Sequence, residues 1–272
     1  MNALFCCPLC AQPLTWEEHC CRCAAGHSFD RASEGYAHLL PANRKHSKNP
    51  GDDKQMVAAR CAFLDKGYYA PLRDTLCQLA VRLTAGEPSP VIFDSGCGEG
   101  YYSAGLAHAI PNSTLAGIDI SKFAVRRAAK RLKTGLFAVA SAYQLPIADG
   151  RVDLLTNIFS PLSAPEFARV LRPGGHFLYV VPSQRHLWQM KEILYENPYE
   201  NPVKREDYTD FVWQEVVPIR HSITLDCNAD IMALFSMTPY AWKTPREGVE
   251  RLAKLDRLDT EIGFDIHVYT RT

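Results

Sequence analysis

Charge of one sign is missing from this sequence. Its 272 residues carry 30 Lys plus Arg against 30 Asp plus Glu. A balanced chain has no global field to collect a nucleic acid, so such a partner has to be argued from local clusters. Long hydrophobic runs are missing too. None approaches the ~18 residues of a membrane span, and no membrane partner is expected. The first residues, MNALFCCPLC, show no basic stretch followed by an apolar one, so a secretion signal is not expected. Ten cysteines without such a signal point to a reducing compartment, read as cytoplasmic. They point to metal binding or packing rather than disulfides.

The dinucleotide fingerprint G-x-G-x-x-G is also absent. In its place residues 91–102 read VIFDSGCGEGYY. The apolar opening predicts a buried parallel strand, and 101–109 reads as a helix. Between them Gly96, Gly98 and Gly100 form a turn where a ligand can approach backbone that a Cβ would block. Asp94 and Glu99 sit beside that turn, and two carboxylates repel a pyrophosphate but suit a cation. S-adenosyl-L-methionine carries a sulfonium and an ammonium, and its ribose hydroxyls want an acid at the end of the next strand. Asp119 closes the run LAGID about 20 residues on, where that acid belongs. The expected cofactor is therefore S-adenosyl-L-methionine, held by Asp94, Gly96, Gly98, Glu99 and Asp119. The set resembles the class I methyltransferases.

Six of the ten cysteines fall in the first 23 residues. Cys7-Pro8-Leu9-Cys10 is a CxxC knuckle, and Cys23 is followed four positions later by His27. Three thiolates and an imidazole suit one tetrahedral, structural Zn2+, and a closed set leaves no open position for catalysis. So short a segment cannot bury a sufficient core alone, and metal binding supplies the missing folding free energy. Cys6, Cys20 and Cys21 compete for these places. An all-thiolate set of Cys7, Cys10, Cys20 and Cys23 is the rival. Tyr36, Leu39 and Leu40 are expected to dock this module on the next.

The chain divides into a zinc-binding domain (1–40), a basic linker (41–56) and a methyltransferase domain (57–272). The linker carries Arg44, Lys45, His46 and Lys48 before a Pro-Gly break, which suits either plain solvation or phosphate contact. Helices are expected over 55–64 and 69–83, with Tyr68 between them in reach of the donor or packed. Ser121 is expected to cap a helix bearing Arg126, Arg127, Lys130, Arg131 and Lys133. Those cations read as a solvated face or as part of an RNA footprint. Further strands are expected over 136–140, 152–159, 176–181, 211–225 (bent near Pro218) and 264–269. The fold expected is α/β: a Rossmann-like, seven-stranded class I sheet with one antiparallel member and a small N-terminal zinc ribbon. Its fourth strand ends Ile158-Phe159-Ser160-Pro161. That is not the Asn/Asp-Pro-Pro-aromatic motif of exocyclic-amine methylation, and no Pro-Cys nucleophile for C5 methylation stands at a strand end.

CPLC…CAAGH, EGYAHLLP, NPGD, FLDKGYYAPLRD, DSGCGEGYY, LRPGG, PSQRHL and MTPYAWK together resemble the RlmA family of 23S rRNA guanine-N1 methyltransferases. The resemblance covers essentially the whole chain. It implies zinc ligands at Cys7, Cys10, Cys23 and His27, and donor contacts at Tyr68, Gly98, Glu99 and His186. It implies methylation of a guanine in hairpin 35 of 23S rRNA by a homodimer, closer to the position-745 branch than to the position-748 branch. Guanine N1 must lose its proton, for which Asn157, His186 and Asp153 are candidates. Tyr240 or Trp242 could receive the flipped base or pack in the core. Ser95 departs from the aliphatic residue usual in the family; its hydroxyl is small and can bond locally, so no loss of donor binding is expected. Two other readings stand beside this one. They are a small-molecule methyltransferase and a non-catalytic zinc-containing RNA-binding protein.

Overall fold

The computed structural model describes residues 4–44, 50–203 and 207–272. Lys45, His46 and Lys48 of the expected basic linker lie outside the described residues. The N-terminal segment folds as a small antiparallel sheet of β1 (Thr15–Trp16), β2 (Cys20–Arg22) and β3 (Ser28–Asp30). After β4 (Ala37–His38) come helices α1 (Lys54–Asp65) and α2 (Ala70–Leu83). Alternation then sets in: β5 (Val91–Ser95), α3 (Tyr101–Ala109), β6 (Thr114–Asp119), α4 (Lys122–Arg131) and β7 (Leu136–Val139). It continues with β8 (Val152–Ile158), α5 (Ala164–Val170), β9 (Leu171–Pro182) and α6 (Trp188–Leu194). The last elements are β10 (Phe211–Leu225), α7 (Asn228–Ser236), α8 (Arg246–Leu252) and β11 (Leu258–Arg271).

The large sheet runs β10-β11-β9-β8-β5-β6-β7-β4. β11 is antiparallel to both of its neighbours, which makes it the one reversed member. The expectation of seven strands is corrected to eight. The additional strand is β4, from the EGYAHLLP segment. Ala37 and His38 pair in parallel with Ala138 and Val139, and the Leu39 amide donates to the Val139 carbonyl at 2.9 Å. This covers the edge of β7, which would otherwise expose a row of unpaired backbone groups.

Two further differences have physical causes. β11 starts at Leu258, six residues before the expected 264, because it pairs along nearly the full length of β10. The irregularity in β10 lies between Trp213 and Glu215, not at Pro218. Pro218 stands opposite Asp265 on the outermost strand, where a missing N–H breaks no ladder on the open side.

Alternate residues of the central strands face opposite cores. Ile92 and Leu154 join the cluster under α2 and α3, which includes Leu72, Leu76 and Leu106. Phe93 and Leu155 join the other, with Phe167 and Phe177. The second cluster also contains Phe5, Cys7, Leu14, Cys21 and Leu39. The ribbon therefore has no separate core and packs on the sheet face that α5 also covers. Backbone bonds fasten it there, with the Cys6 amide donating to Pro146 O at 2.8 Å and the Ala148 amide to Leu4 O at 3.0 Å. Leu39 docks as expected, whereas Leu40 and the half-buried Tyr36 turn to the first cluster.

Ser121 caps α4 as expected, its Oγ accepting from the Ala124 amide at 3.3 Å. The cations of that helix are largely spoken for. Arg126 and Lys130 lie 2.6 and 3.9 Å from Glu34, and Arg131 lies 2.8 Å from Asp65. Glu34, held below the usual carboxylate range chiefly by Arg126, thus ties the segment before β4 to α4.

Candidate methyl-donor site and metal centre

The metal centre follows from the turn chemistry of the ribbon. Ala11 and Gly26 have positive φ, 59° and 86°, which bends the chain back behind each ligand pair. The Sγ atoms of Cys7, Cys10 and Cys23 and a ring nitrogen of His27 all lie within 4.8 Å of one another. Zn–S near ~2.3 Å and Zn–N near ~2.0 Å in a tetrahedron place sulfurs ~3.8 Å apart and sulfur ~3.5 Å from nitrogen. The observed Cys10–Cys23 separation is 3.7 Å, and His27 Nδ1 lies 3.5 and 3.4 Å from Cys7 and Cys23. The donor set fits Zn2+. Cys20 points elsewhere, donating to Glu17 at 3.1 Å and accepting from Arg22 at 3.3 Å. Cys21 faces the shared core, and burial pushes its thiol up to about 11.

At the donor loop, Gly96, Gly98 and Gly100 all take positive φ, 87°, 53° and 82°. A Cβ on Gly96 would fall 2.3 Å from Ser160 Cβ, and one on Gly100 would fall 2.8 Å from Ala128 Cα. Those two glycines let the loop close on the turn after β8 and on α4. Above Gly98 the space is open, with only Arg60 Nη1 within 4 Å, at 3.9 Å. That opening is where a ligand can meet backbone.

Asp94 is fully interior. Its carboxylate accepts from Ser103 Oγ at 2.5 Å and Thr156 Oγ1 at 3.0 Å, joining β5, α3 and β8. Burial raises it to about 6 against those hydrogen bonds. Asp119 accepts from the Gly98 amide at 3.0 Å and the Ser121 amide at 2.8 Å, so it shapes the loop from the end of β6. Burial also lifts Asp119 and Glu99 above the ordinary carboxylate range, with Arg60 opposing the shift in both. Buried acids around an open glycine suit a cationic, ribose-bearing ligand, and the site fits S-adenosyl-L-methionine.

The acceptor edge lies beside this loop. Asn157 is fully buried, and its amide donates to Ser160 Oγ at 2.7 Å and Pro161 O at 3.1 Å. It fastens the turn after β8 rather than pointing outward. Next in the chain, Phe159 holds φ +52° and stays half-exposed, its ring 5.4 Å from Phe264. His186 packs 4.8 Å from Phe264, and its Nδ1 accepts from the Gly263 amide at 3.3 Å. Burial drives His186 down to about 3, so it stays neutral at physiological pH and is a weak proton acceptor. Asp153 lies at the start of β8, bonded to the Val91 amide and Arg172, at the sheet end away from the loop. Tyr68 donates to Asp230 of α7 at 2.8 Å, and its ring lies 4.8 Å from that of Phe63, tilted by 33°. Tyr240 is core, while Trp242 is exposed.

The structure brings Asp94, Gly96, Gly98, Glu99, Asp119 and Asn157 to neighbouring strand ends, with His186 joined to them through Phe264 and Phe159. Sequence reasoning missed Arg60, Tyr102 and Phe159. Arg60 is a lone cation in a mixed helix and carries no spacing signal. Phe159 was hidden because a positive φ on an aromatic residue has no sequence signature. The local bond open to the Ser95 hydroxyl is not made: its Oγ is buried with no partner among the described residues.

A doubly wound sheet, a glycine loop between buried acids and a Cys3His ribbon define a class I S-adenosyl-L-methionine-dependent methyltransferase with a structural zinc module. Residues 5–48 match the family model for the RlmA N-terminal zinc ribbon, and 92–175 match a methyltransferase domain. The Streptomyces fradiae 23S rRNA (guanine(748)-N(1))-methyltransferase is 37% identical over 258 residues, covering 92% of this chain and 90% of that one. Proteins of Micromonospora griseorubida (35% identical, 92% of this chain and 90% of that one) and Bacillus subtilis (31%, 97% and 96%) are provisionally named for the same guanine-N1 activity. Among solved structures, the YcgJ protein of Bacillus subtilis covers 71% of this chain and 97% of its own, with TM-score 0.47 and 17% identity. The chain belongs to the RlmA family of 23S rRNA (guanine-N1)-methyltransferases.

Proposed function

We propose that this enzyme methylates N1 of a guanine in hairpin 35 of 23S rRNA. The observation that carries the reading is similarity to the Streptomyces fradiae enzyme across both ribbon and donor domain. Bound S-adenosyl-L-methionine would supply the methyl group and leave as the neutral thioether S-adenosyl-L-homocysteine, and the acceptor nitrogen would give its proton to water. Asp119 holds the ribose side, Glu99 and Gly98 the loop side, and Tyr68 closes the donor pocket from the α1–α2 connection. Asn157 fixes the acceptor turn, and Phe159 offers an exposed ring for an extruded base. His186 acts as a neutral imidazole rather than a base. Positioning therefore carries most of the rate.

The division into ribbon (1–40), linker (41–56) and catalytic domain (57–272) is a functional one, since the first and last share a core. The chain works as a homodimer, which light scattering tests as twice the chain mass. No helix among the described residues is long and apolar enough to cross a membrane. Incubation with 23S rRNA lacking this modification, followed by primer extension, should give a stop in hairpin 35. The sequence reading expects guanine 745 and the named relative modifies 748, so the stop is mapped across both. No stop in the hairpin overturns the reading.

A further inference from the structure

We propose that Arg60 and the Tyr102 hydroxyl form the subsite for the carboxylate at the methionyl end of the donor. The amino-acid end of S-adenosyl-L-methionine carries a carboxylate as well as an ammonium. Glu99 and Asp119 suit the cationic groups and the ribose but repel that carboxylate. A carboxylate brought beside two buried acids needs a cation and hydrogen-bond donors of its own.

Two arginines act on Glu99, Arg60 and Arg131. Arg131 is committed elsewhere. It pairs with Asp65 at 2.8 Å, donates to the Glu99 carbonyl at 3.3 Å and lies over the Tyr101 ring at 5.9 Å. Arg60 is not. Its Nη2 holds Asp52 at 2.5 Å, and its Nη1 is the atom beside the open face of Gly98, 3.9 Å from the Cβ position. The side chain is 22% exposed, low for an arginine. A guanidinium presents two edges, so one can be fixed by the protein while the other meets a ligand carboxylate.

The fixed edge is well supported. The Asp52 carbonyl accepts from Ser121 Oγ at 2.6 Å, and Asp53 caps α1 by accepting from the Gln55 and Met56 amides at 2.7 and 2.9 Å. Asp52 is thereby anchored both to α1 and to the end of β6. The second observation is Tyr102. Its hydroxyl is buried with no hydrogen-bond partner among the described residues, and it stands in the first turn of α3, directly after the glycine loop. A buried phenol without a partner is costly, and a carboxylate oxygen would satisfy it.

The alternative role for Arg60 is a plain counter-ion for the acids of the loop. Such a role acts through charge alone, so Arg60→Lys and Tyr102→Phe, which keep the charge, would both leave the wild-type ratio between donors. The two are separated by calorimetry on the zinc-loaded full chain with two probes, S-adenosyl-L-methionine and its decarboxylated analogue. The probes share sulfonium, ammonium and nucleoside and differ only in the carboxylate. The wild type should favour the carboxylated probe by on the order of 10- to 100-fold. In Arg60→Gln that ratio should fall to within about threefold, with the decarboxylated probe bound about as before. Tyr102→Phe should lower the ratio by about three- to tenfold. Arg60→Lys, which keeps charge but not the fork, should fall between. A ratio unchanged in Arg60→Gln, or equal losses for both probes, overturns the proposal. If Arg60→Gln does not fold, Arg60→Lys and Tyr102→Phe decide by the same ratio, and unchanged ratios in both overturn it. Binding is read without RNA, so this result and the acceptor assignment fail separately.

Discussion

Ser95 has a backbone carbonyl that accepts from Ser160 Oγ at 2.7 Å, while its own hydroxyl is buried and unpaired. An unmet buried hydroxyl costs ~1–3 kcal/mol. Ser95→Ala should therefore raise stability by about 1 kcal/mol, read as a higher denaturation midpoint at unchanged slope. His186 gives a pH signature. Between its ordinary 6.5 and about 3, the unfolded chain binds this proton and the folded chain does not. Stability from this group is full above 6.5 and is lost as pH falls. Asp94, raised from 3.8 to about 6, acts in the opposite sense: its contribution is full below 3.8 and is lost as pH rises towards 6. The two partly cancel in the wild type, so the difference from His186→Asn isolates the histidine. On acidifying below pH 6, wild type should lose stability relative to that variant by up to about 1.4 kcal/mol per pH unit. Parallel curves would contradict the burial of a neutral His186. Neither residue's environment was legible in the sequence. The motif named Asp94 as part of the loop, but only packing shows that Ser103 and Thr156 take both its oxygens.

The elements that sequence reading recovered best are those with local signals: the glycine turn into α3, the Ser121 cap of α4 and the buried runs of β5, β6 and β8. It also recovered the Cys7, Cys10, Cys23 and His27 set, because ligand spacing in a knuckle is itself geometric. The missed strand was β4, whose two residues have no periodicity to detect and pair only because Leu39 is drawn into the core. Its partner β7 lies about a hundred residues on in the chain. The ribbon's dependence on that core has an energetic consequence. Phe5 and Leu14 are each about 1% exposed, and such burial contributes ~1.5–3 kcal/mol per side chain. Zinc removal should therefore lower the stability of the whole chain in one transition, measured by thermal melts across a chelator titration. A separate early transition with the remainder unshifted would contradict the shared core.

At the scale of the whole molecule, zero net charge and paired cations on α4 leave RNA recognition to particular surfaces rather than to a general field. The acceptor edge presents Phe159 in a conformation few non-glycine residues adopt, beside Ser160, which packs against Gly96 of the donor loop. Backbone strain of this kind is held where the surrounding fold requires it. Ribbon, linker and donor loop together pointed to RNA, but sequence reading reached the guanine only through the resemblance, because base recognition here has no short motif comparable to the donor loop. With His186 held neutral and a weak proton acceptor beside the acceptor edge, the rate of transfer should keep rising with pH instead of levelling near the histidine range. The most direct measurement is nucleoside mass spectrometry of a hairpin-35 transcript after incubation with S-adenosyl-L-methionine and either wild type or Asp119→Asn. N1-methylguanosine should form with the wild type, with a loss of about 10-fold or more in the variant at low donor concentration. No methylated guanine, or methylation at a different atom of the base, would contradict guanine-N1 methylation.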